Sequence, residues 1–240
     1  MERFCIAIAY SQGARSKSVY PLVRSQAFKD AFLFFAHHEL AKFDPERILE
    51  RHWDVLRIIR FRSKVVKIVE CARILVEIVE EYGSFAKFLG RFRIPKKIDS
   101  PENLECFWKG FDSLRKDLEK RAMPFFRHTT SLLQLLLDLD HDAIKPDLIV
   151  MRFCRRLGIV TKEVGDKHLR HAVRFLQEYA IDRKISASAL DWVVLAFGGQ
   201  SGAGSLLDKK FCPAQQTCSN DACNLGKGGF CLDYRTNLSN

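Results

Sequence analysis

Side-chain amides are scarce in this chain: Asn and Gln together number 12 of 240 residues, against 39 Lys and Arg and 29 Asp and Glu. That balance is the one found in heat-adapted proteins. Long apolar runs are missing as well. Near the N-terminus, Phe4 to Tyr10 supplies seven weakly apolar residues after Glu2 and Arg3. This is too short for a secretory h-region with its cleavage site and far too short for a bilayer. No other segment reaches that length, so a soluble intracellular protein with no membrane partner is expected. Strand-like alternation is rare, and the apolar residues recur at three and four, which predicts an all-α chain. There is no glycine-rich phosphate loop, no Ser/His/Asp or Cys/His protease arrangement and no internal repeat.

What is present is positive charge. The formal net charge is +10, which favours a polyanionic partner such as nucleic acid. Arg57 to Lys97 carries 11 Lys and Arg against four Glu. Within it Val65, Ile68, Val69, Ala72, Leu75, Val76 and Val79 keep a helical period that ends before Tyr82-Gly83-Ser84. The helix is basic first and acidic last, opposite to the preference of its dipole. An external partner for Arg60, Arg62, Lys64 and Lys67 accounts for that order, and so does a solvated face.

Beyond a loop at Ile94–Pro101, Glu102 to Arg121 reads as a helix presenting Leu104, Phe107, Trp108, Phe111 and Leu114. Met123 to Thr130 breaks the pattern, and a strongly apolar helix follows from about Ser131 to Leu139. His168 to Tyr179 is amphipathic. Ser186 to Phe197 is expected to turn Ala189, Trp192, Val193 and Ala196 inward, with Gly198-Gly199 as its stop.

The segment richest in chemistry is Lys145 to Ile159. A helix from Leu148 places Val150, Phe153, Cys154 and Leu157 on an apolar stripe and Arg152, Arg155 and Arg156 opposite. Gly158 ends it, and Asp147 stands at its mouth behind Pro146. An Asp here is a good N-cap, worth about 1 kcal/mol without any catalysis. An anion beside a cationic face also suits chemistry on a sugar whose phosphates must be held.

Eight cysteines divide into two groups. Cys5, Cys71, Cys106 and Cys154 sit in apolar contexts and read as small buried hydrophobes. Cys212, Cys218, Cys223 and Cys231 crowd into one glycine-containing tail. Four thiolates so close together suit a [4Fe–4S] cluster, with a structural zinc site as the alternative and disulfides or free thiols as a third reading.

The order of these elements carries a resemblance. It begins with Arg62-x-Lys64-x-x-x-Ile68-x-x-x-Ala72-Arg73-x-Leu75, and an apolar helix follows. Next come Pro146-Asp147 with Arg152-Phe153-x-x-Arg156-Leu157-Gly158, then Trp192-x-x-Leu195-x-x-Gly198 and the four cysteines. The chain resembles the helix-hairpin-helix (HhH-GPD) superfamily of DNA glycosylases, in the branch that ends in an iron–sulfur cluster loop. The resemblance implies an all-α protein of two lobes. One is a helical barrel, residues 25–140, carrying a hairpin-like element. The other joins residues 1–24 to 141–240, with the cysteine loop from residue 205.

The resemblance further implies a monomer acting on double-stranded DNA that carries a damaged or mismatched base. The family's essential aspartate falls on Asp147. The hairpin falls on Phe125 to Ser131, where the usual pattern Gly-x-Gly-x-Lys-Thr-Ala has lost its glycines. Contacts to DNA are then expected through Arg127, His128, Thr129 and Thr130, through Arg152 and Arg156, and through Gln12 as the residue inserted into the vacated stack. The lysine that forms an imine in bifunctional members falls on Thr129, which cannot form one. A monofunctional DNA glycosylase of base excision repair is therefore expected, without a lyase step. The alternatives are a non-enzymatic DNA-binding or damage-sensing iron–sulfur protein that keeps the fold, and an iron–sulfur redox or scaffold protein. Tyr20, Trp108, Phe125, Phe126 and Trp192 are candidates to stack on a flipped base.

Overall fold

The computed structural model describes residues 1–11 and 13–198, and all regular structure among them is helical. The chain divides into two compact units. The first comprises Met1–Ile94 and Cys106–Asp138, and the second comprises Pro95–Glu105 together with the chain from Leu139 onward.

The first unit holds α1 (Glu2–Tyr10), α2 (Ser16–Arg24), α3 (Gln26–Ala31), α4 (His37–Lys42), α5 (Pro45–Leu56), α6 (Ser63–Tyr82) and α7 (Phe85–Gly90). It also holds most of α8 (Pro101–Lys120) and all of α9 (Thr129–Asp138). Its axis is α6, which packs against α1, α4, α5 and α7. Val65, Ile68, Val69, Ala72 and Leu75 are buried along it as anticipated, joined by Cys71, Ile74 and Ile78, while Val76 and Val79 are only half-buried. Gly83 ends the helix in the left-handed region at φ 79°, where a glycine meets no Cβ penalty. Phenylalanine rings fill the surrounding space: Phe4 meets Phe85 and Phe126 edge-on at 5.2 and 4.8 Å. Short helices begin on side-chain caps. Asp44 accepts from Glu46 N–H ahead of Pro45, and Ser84 accepts from Lys87 N–H.

Residues 1–24 were expected beside the C-terminal helices. Instead α1 packs on α6 and α9 and α2 on α3, all within the first unit. The reason is the apolar face of α1, where Phe4, Cys5, Ala7, Ile8 and Ala9 are all buried.

The second unit holds α10 (Leu148–Arg156), α11 (Asp166–Asp182) and α12 (Ala187–Gly198), which pack on one another. Asp142 ties them to the 95–105 segment. Its buried carboxylate accepts from Ile98 N–H at 3.3 Å and from Ser188 N–H at 2.7 Å, and its own N–H donates to Lys96 O. His141 Nδ1 bonds Pro95 O at 3.0 Å, and Lys96 Nζ donates to Leu139 O.

Two expected faces are corrected. On α12 the buried residues are Ala187, Leu190, Asp191 and Val194, whereas Ala189 is exposed and Trp192 and Val193 are 69% and 48% exposed. The Ala196 side chain lies outside the described residues. A buried carboxyl with a partner, described below, turns the helix away from its most apolar side. Cys106 is exposed on α8, while Cys5, Cys71 and Cys154 are buried as expected. Among the described residues no helix is long and apolar enough to cross a membrane.

Candidate functional site

The mouth of α10 is built from backbone groups of Lys145, Asp147, Ile149 and Val150 and two carboxyls, all in the second unit. Pro146 has no N–H to give, so Asp147 N–H closes a tight turn onto Lys145 O at 2.8 Å. Asp147 is extended at φ −81°, ψ 180°, and Oδ1 accepts from Ile149 N–H at 2.9 Å and Val150 N–H at 3.1 Å. The carboxylate is thus an N-cap, half-buried and held in one orientation. Lys145 N–H in turn donates to Asp191 Oδ1 at 3.1 Å. Asp191 is 2% exposed. Burial pushes its carboxyl up to about 7; the charge on Asp147 adds to the rise, while the Lys145 N–H and the Lys145 ammonium oppose it.

Around this mouth the arginines divide. Arg155 Nε lies 2.7 Å from Glu163 and Arg152 Nε 3.7 Å from the same carboxylate. Both remain about two-fifths exposed at the side chain, open enough to reach a phosphate. Arg156 was expected on the solvent side with them but is buried at 9% exposure. The buried set of α10 is Val150, Met151, Cys154 and Arg156, so the apolar stripe is rotated from the expected one and takes Arg156 inward. Gly158, at φ 75°, ends the segment as expected.

The hairpin-like turn lies in the first unit. Phe125 stands where the family pattern has its first glycine, and it adopts the left-handed conformation at φ 66°. A residue with a Cβ in this region carries a strain of about 1–2 kcal/mol that a glycine would not. Ser131 Oγ donates to Phe125 O and also reaches His128 O, at 3.1 Å. Buried Phe126 packs edge-on against Phe125 at 4.9 Å. Arg127 and His128 are exposed and Thr130 is half-buried. Thr129, like Arg156 among the expected DNA contacts, is buried. It is 3% exposed and its hydroxyl accepts from Arg115 at 3.0 Å, because the first turn of α9 faces the core.

The basic start of α6 has internal partners. Lys64 is fully buried, and its Nζ donates to Ala9 O at 3.1 Å and Ser11 O at 2.5 Å, capping the end of α1. Burial, with Lys67 and Arg60 nearby, lowers its ammonium to about 8. Arg60 donates to Gly13 O at 2.6 Å, and the Arg62 guanidinium lies 5.2 Å from the Trp53 ring.

Of the expected stacking residues, Trp108 and Phe126 are core, Phe125 is half-buried, and Tyr20 and Trp192 are exposed. Gln12 and the four tail cysteines, Cys212, Cys218, Cys223 and Cys231, lie outside the described residues. Among the described residues no cluster of three or more His, Cys, Asp or Glu is placed to hold a metal ion. Asp191 and the internal role of Lys64 escaped the sequence reading. The signal for Asp191 was its isolation, as the one ionisable side chain in Ala187–Gly198. For Lys64 it was a lysine placed on the buried face of an otherwise apolar period.

No solved structure matches the chain. The family model of methyladenine glycosylases matches residues 12–135, more than half of the sequence. The match takes in α2 to α8, the hairpin-like turn and most of α9, and it ends before the mouth of α10. With an all-helical architecture and this match together, the chain belongs to the methyladenine glycosylase family, within the DNA glycosylases.

Proposed function

We propose that this chain is a monofunctional DNA glycosylase that removes a methylated adenine or a related damaged base from double-stranded DNA. Asp147 is its catalytic carboxylate. The target nucleotide leaves the stack because its glycosidic bond is unreachable within the duplex. Breaking that bond builds positive charge on the sugar, and a carboxylate held by two helix N–H groups stabilises that charge without having to reorient. Water adds to the anomeric carbon, the water's proton passes to the carboxylate or to solvent, and the base departs with the bonding electrons. An abasic site remains.

The observation that carries the monofunctional reading is Thr129. The residue in the imine-forming position is a threonine, turned inward onto Arg115. Arg127, His128, Thr130 and Arg152 supply the phosphate contacts in this reading, and Gln12 fills the gap left by the flipped base.

The tail's donor set, four thiolates in one short loop, fits a [4Fe–4S] cluster held by Cys212, Cys218, Cys223 and Cys231, with zinc as the alternative. The cluster's part would be to order the tail and position DNA.

Wild type and D147N are incubated with duplexes carrying methylated adenine and other damaged bases, then treated with alkali. Abasic sites from wild type and their loss in D147N are expected. Equal excision by D147N, or none by either protein, overturns the reading, and strand cleavage without alkali overturns its monofunctional part. For the tail, anaerobic purification should give broad absorbance near about 400 nm; zinc without that band overturns the cluster.

A further inference from the structure

We propose that Asp191, on the buried face of α12, is a positioning residue that fixes the Lys145–Asp147 turn and so aims the Asp147 carboxylate. The inference rests on the reading of Asp147 as the catalytic group.

The geometry around residue 145 is closed from both sides. Its N–H is taken by Asp191 Oδ1 at 3.1 Å, and its carbonyl takes Asp147 N–H at 2.8 Å. Pro146 has no donor of its own, so the N–H groups of Lys145 and Asp147 are the only ones the turn can offer, and both are used. One end of the turn is therefore anchored in α10, through Asp147, and the other in α12, through Asp191. Without Asp191 the Lys145 N–H loses its acceptor and the Ile144–Lys145 peptide loses its tie to α12. A shift of that peptide is passed through Lys145 O to the Asp147 N–H bonded to it.

A carboxyl at 2% exposure is a costly way to hold one amide. A serine or asparagine would serve if shape alone mattered. What a carboxyl adds is a charge that depends on its neighbours. The groups that act on it are Asp147 and Lys145, both from the α10 side. The carboxyl is neutral at acidic pH, so it adds no negative charge beside Asp147. As pH rises through about 7 a second buried negative charge appears beside it. Opening the turn to water relieves that repulsion and displaces Asp147, so excision slows.

The test uses the full chain with a duplex carrying methylated adenine. Single-turnover excision is followed across pH for wild type, D191A, D191N and D147N, alongside DNA affinity. In parallel, the Asp191 carboxyl carbon is titrated by NMR in wild type and D147N. D191A is expected to lose on the order of tenfold to a hundredfold in excision rate with DNA affinity unchanged. D191N, which keeps an acceptor oxygen, should restore most of that rate but lack the fall above neutral pH. The NMR midpoint should lie near 7 in wild type and drop in D147N.

If D147N excises like wild type, the reading of Asp147 fails. If D147N is inactive but both Asp191 variants match wild type in rate and pH profile, this inference alone fails. It fails equally if the carboxyl titrates at an ordinary aspartate value of about 3.9. Should D191A not fold, D191N and the NMR titration still decide the matter.

Discussion

Replacing Lys64 by methionine separates two explanations for the basic start of α6. In the structure the ammonium is buried and donates to Ala9 O and Ser11 O, at the end of α1. Methionine has nearly the same length and fills the space without strain, but takes the Lys64 donor from Ala9 O and leaves Ser11 O with only the Ala14 N–H at 3.3 Å. Each such loss costs about 1–3 kcal/mol. Removing a desolvated cation offsets part of it, so a net destabilisation of about 1–3 kcal/mol is expected, and a fall of roughly 3–10 °C in Tm by circular dichroism. The pH dependence is diagnostic. The folded-state value, about 8, lies below the ordinary 10.5, so between them the unfolded chain binds more protons than the folded one. Stability contributed by Lys64 therefore rises with pH across that window and is lost as pH falls through about 8. The gap between wild type and K64M should widen from pH 8 to 10.5. An unchanged Tm together with weaker DNA binding would refute the argument and return Lys64 to an external partner.

Three further outcomes are expected. In G110A the new Cβ would sit 2.5 Å from Phe92 O and 2.7 Å from Ile94 Cγ1, so backbone must move; a loss of about 1–3 kcal/mol in urea unfolding is expected, despite the better helix propensity of alanine. D142A removes the acceptor of Ile98 N–H and Ser188 N–H. It should cost about 2–4 kcal/mol and speed hydrogen exchange at those two amides above the rest of the second unit. R127A, at an exposed cation on the hairpin-like turn, should weaken duplex binding alike for all sequences and reduce the salt slope by about one.

The helices were legible because periodicity reports a face that packing later uses. The predicted stop at Gly83, the helix mouth at Asp147 and the stop at Gly158 all appear where local chemistry demands them. What was not legible were rotations set by buried polar groups. Hydrophobicity alone turns Trp192 inward on α12, but the Asp191 bond to Lys145 N–H and the Asp142 bond to Ser188 N–H rotate the helix and expose it. Neither partner is close in sequence, so no window along the chain contains the information. The turn at Phe125 shows the converse case. The glycine signature is absent, yet Phe125 is left-handed, with its ring packed on Phe126 and its carbonyl held by the Ser131 hydroxyl within the same segment.

The scarcity of amides and the excess of cations are connected. Helix ends need donors for their last carbonyls. Here lysine and arginine often supply them: Lys64 at the end of α1, Arg60 on Gly13 O, and Arg73 on Ala41 O and Phe43 O at the end of α4. Lys96 on Leu139 O is a further case. These cations count toward the net charge of +10 but face inward or are already bonded. The number of phosphates such a chain can neutralise is therefore set by exposed cations at the turn and the mouth, such as Arg127 and Arg152, and not by its composition. Since the salt slope of duplex binding is about 0.9 per phosphate contacted, it should lie well below the value that net charge alone would give. A slope approaching the full net charge would refute this footprint and show that cations beyond the turn and the mouth contact phosphates.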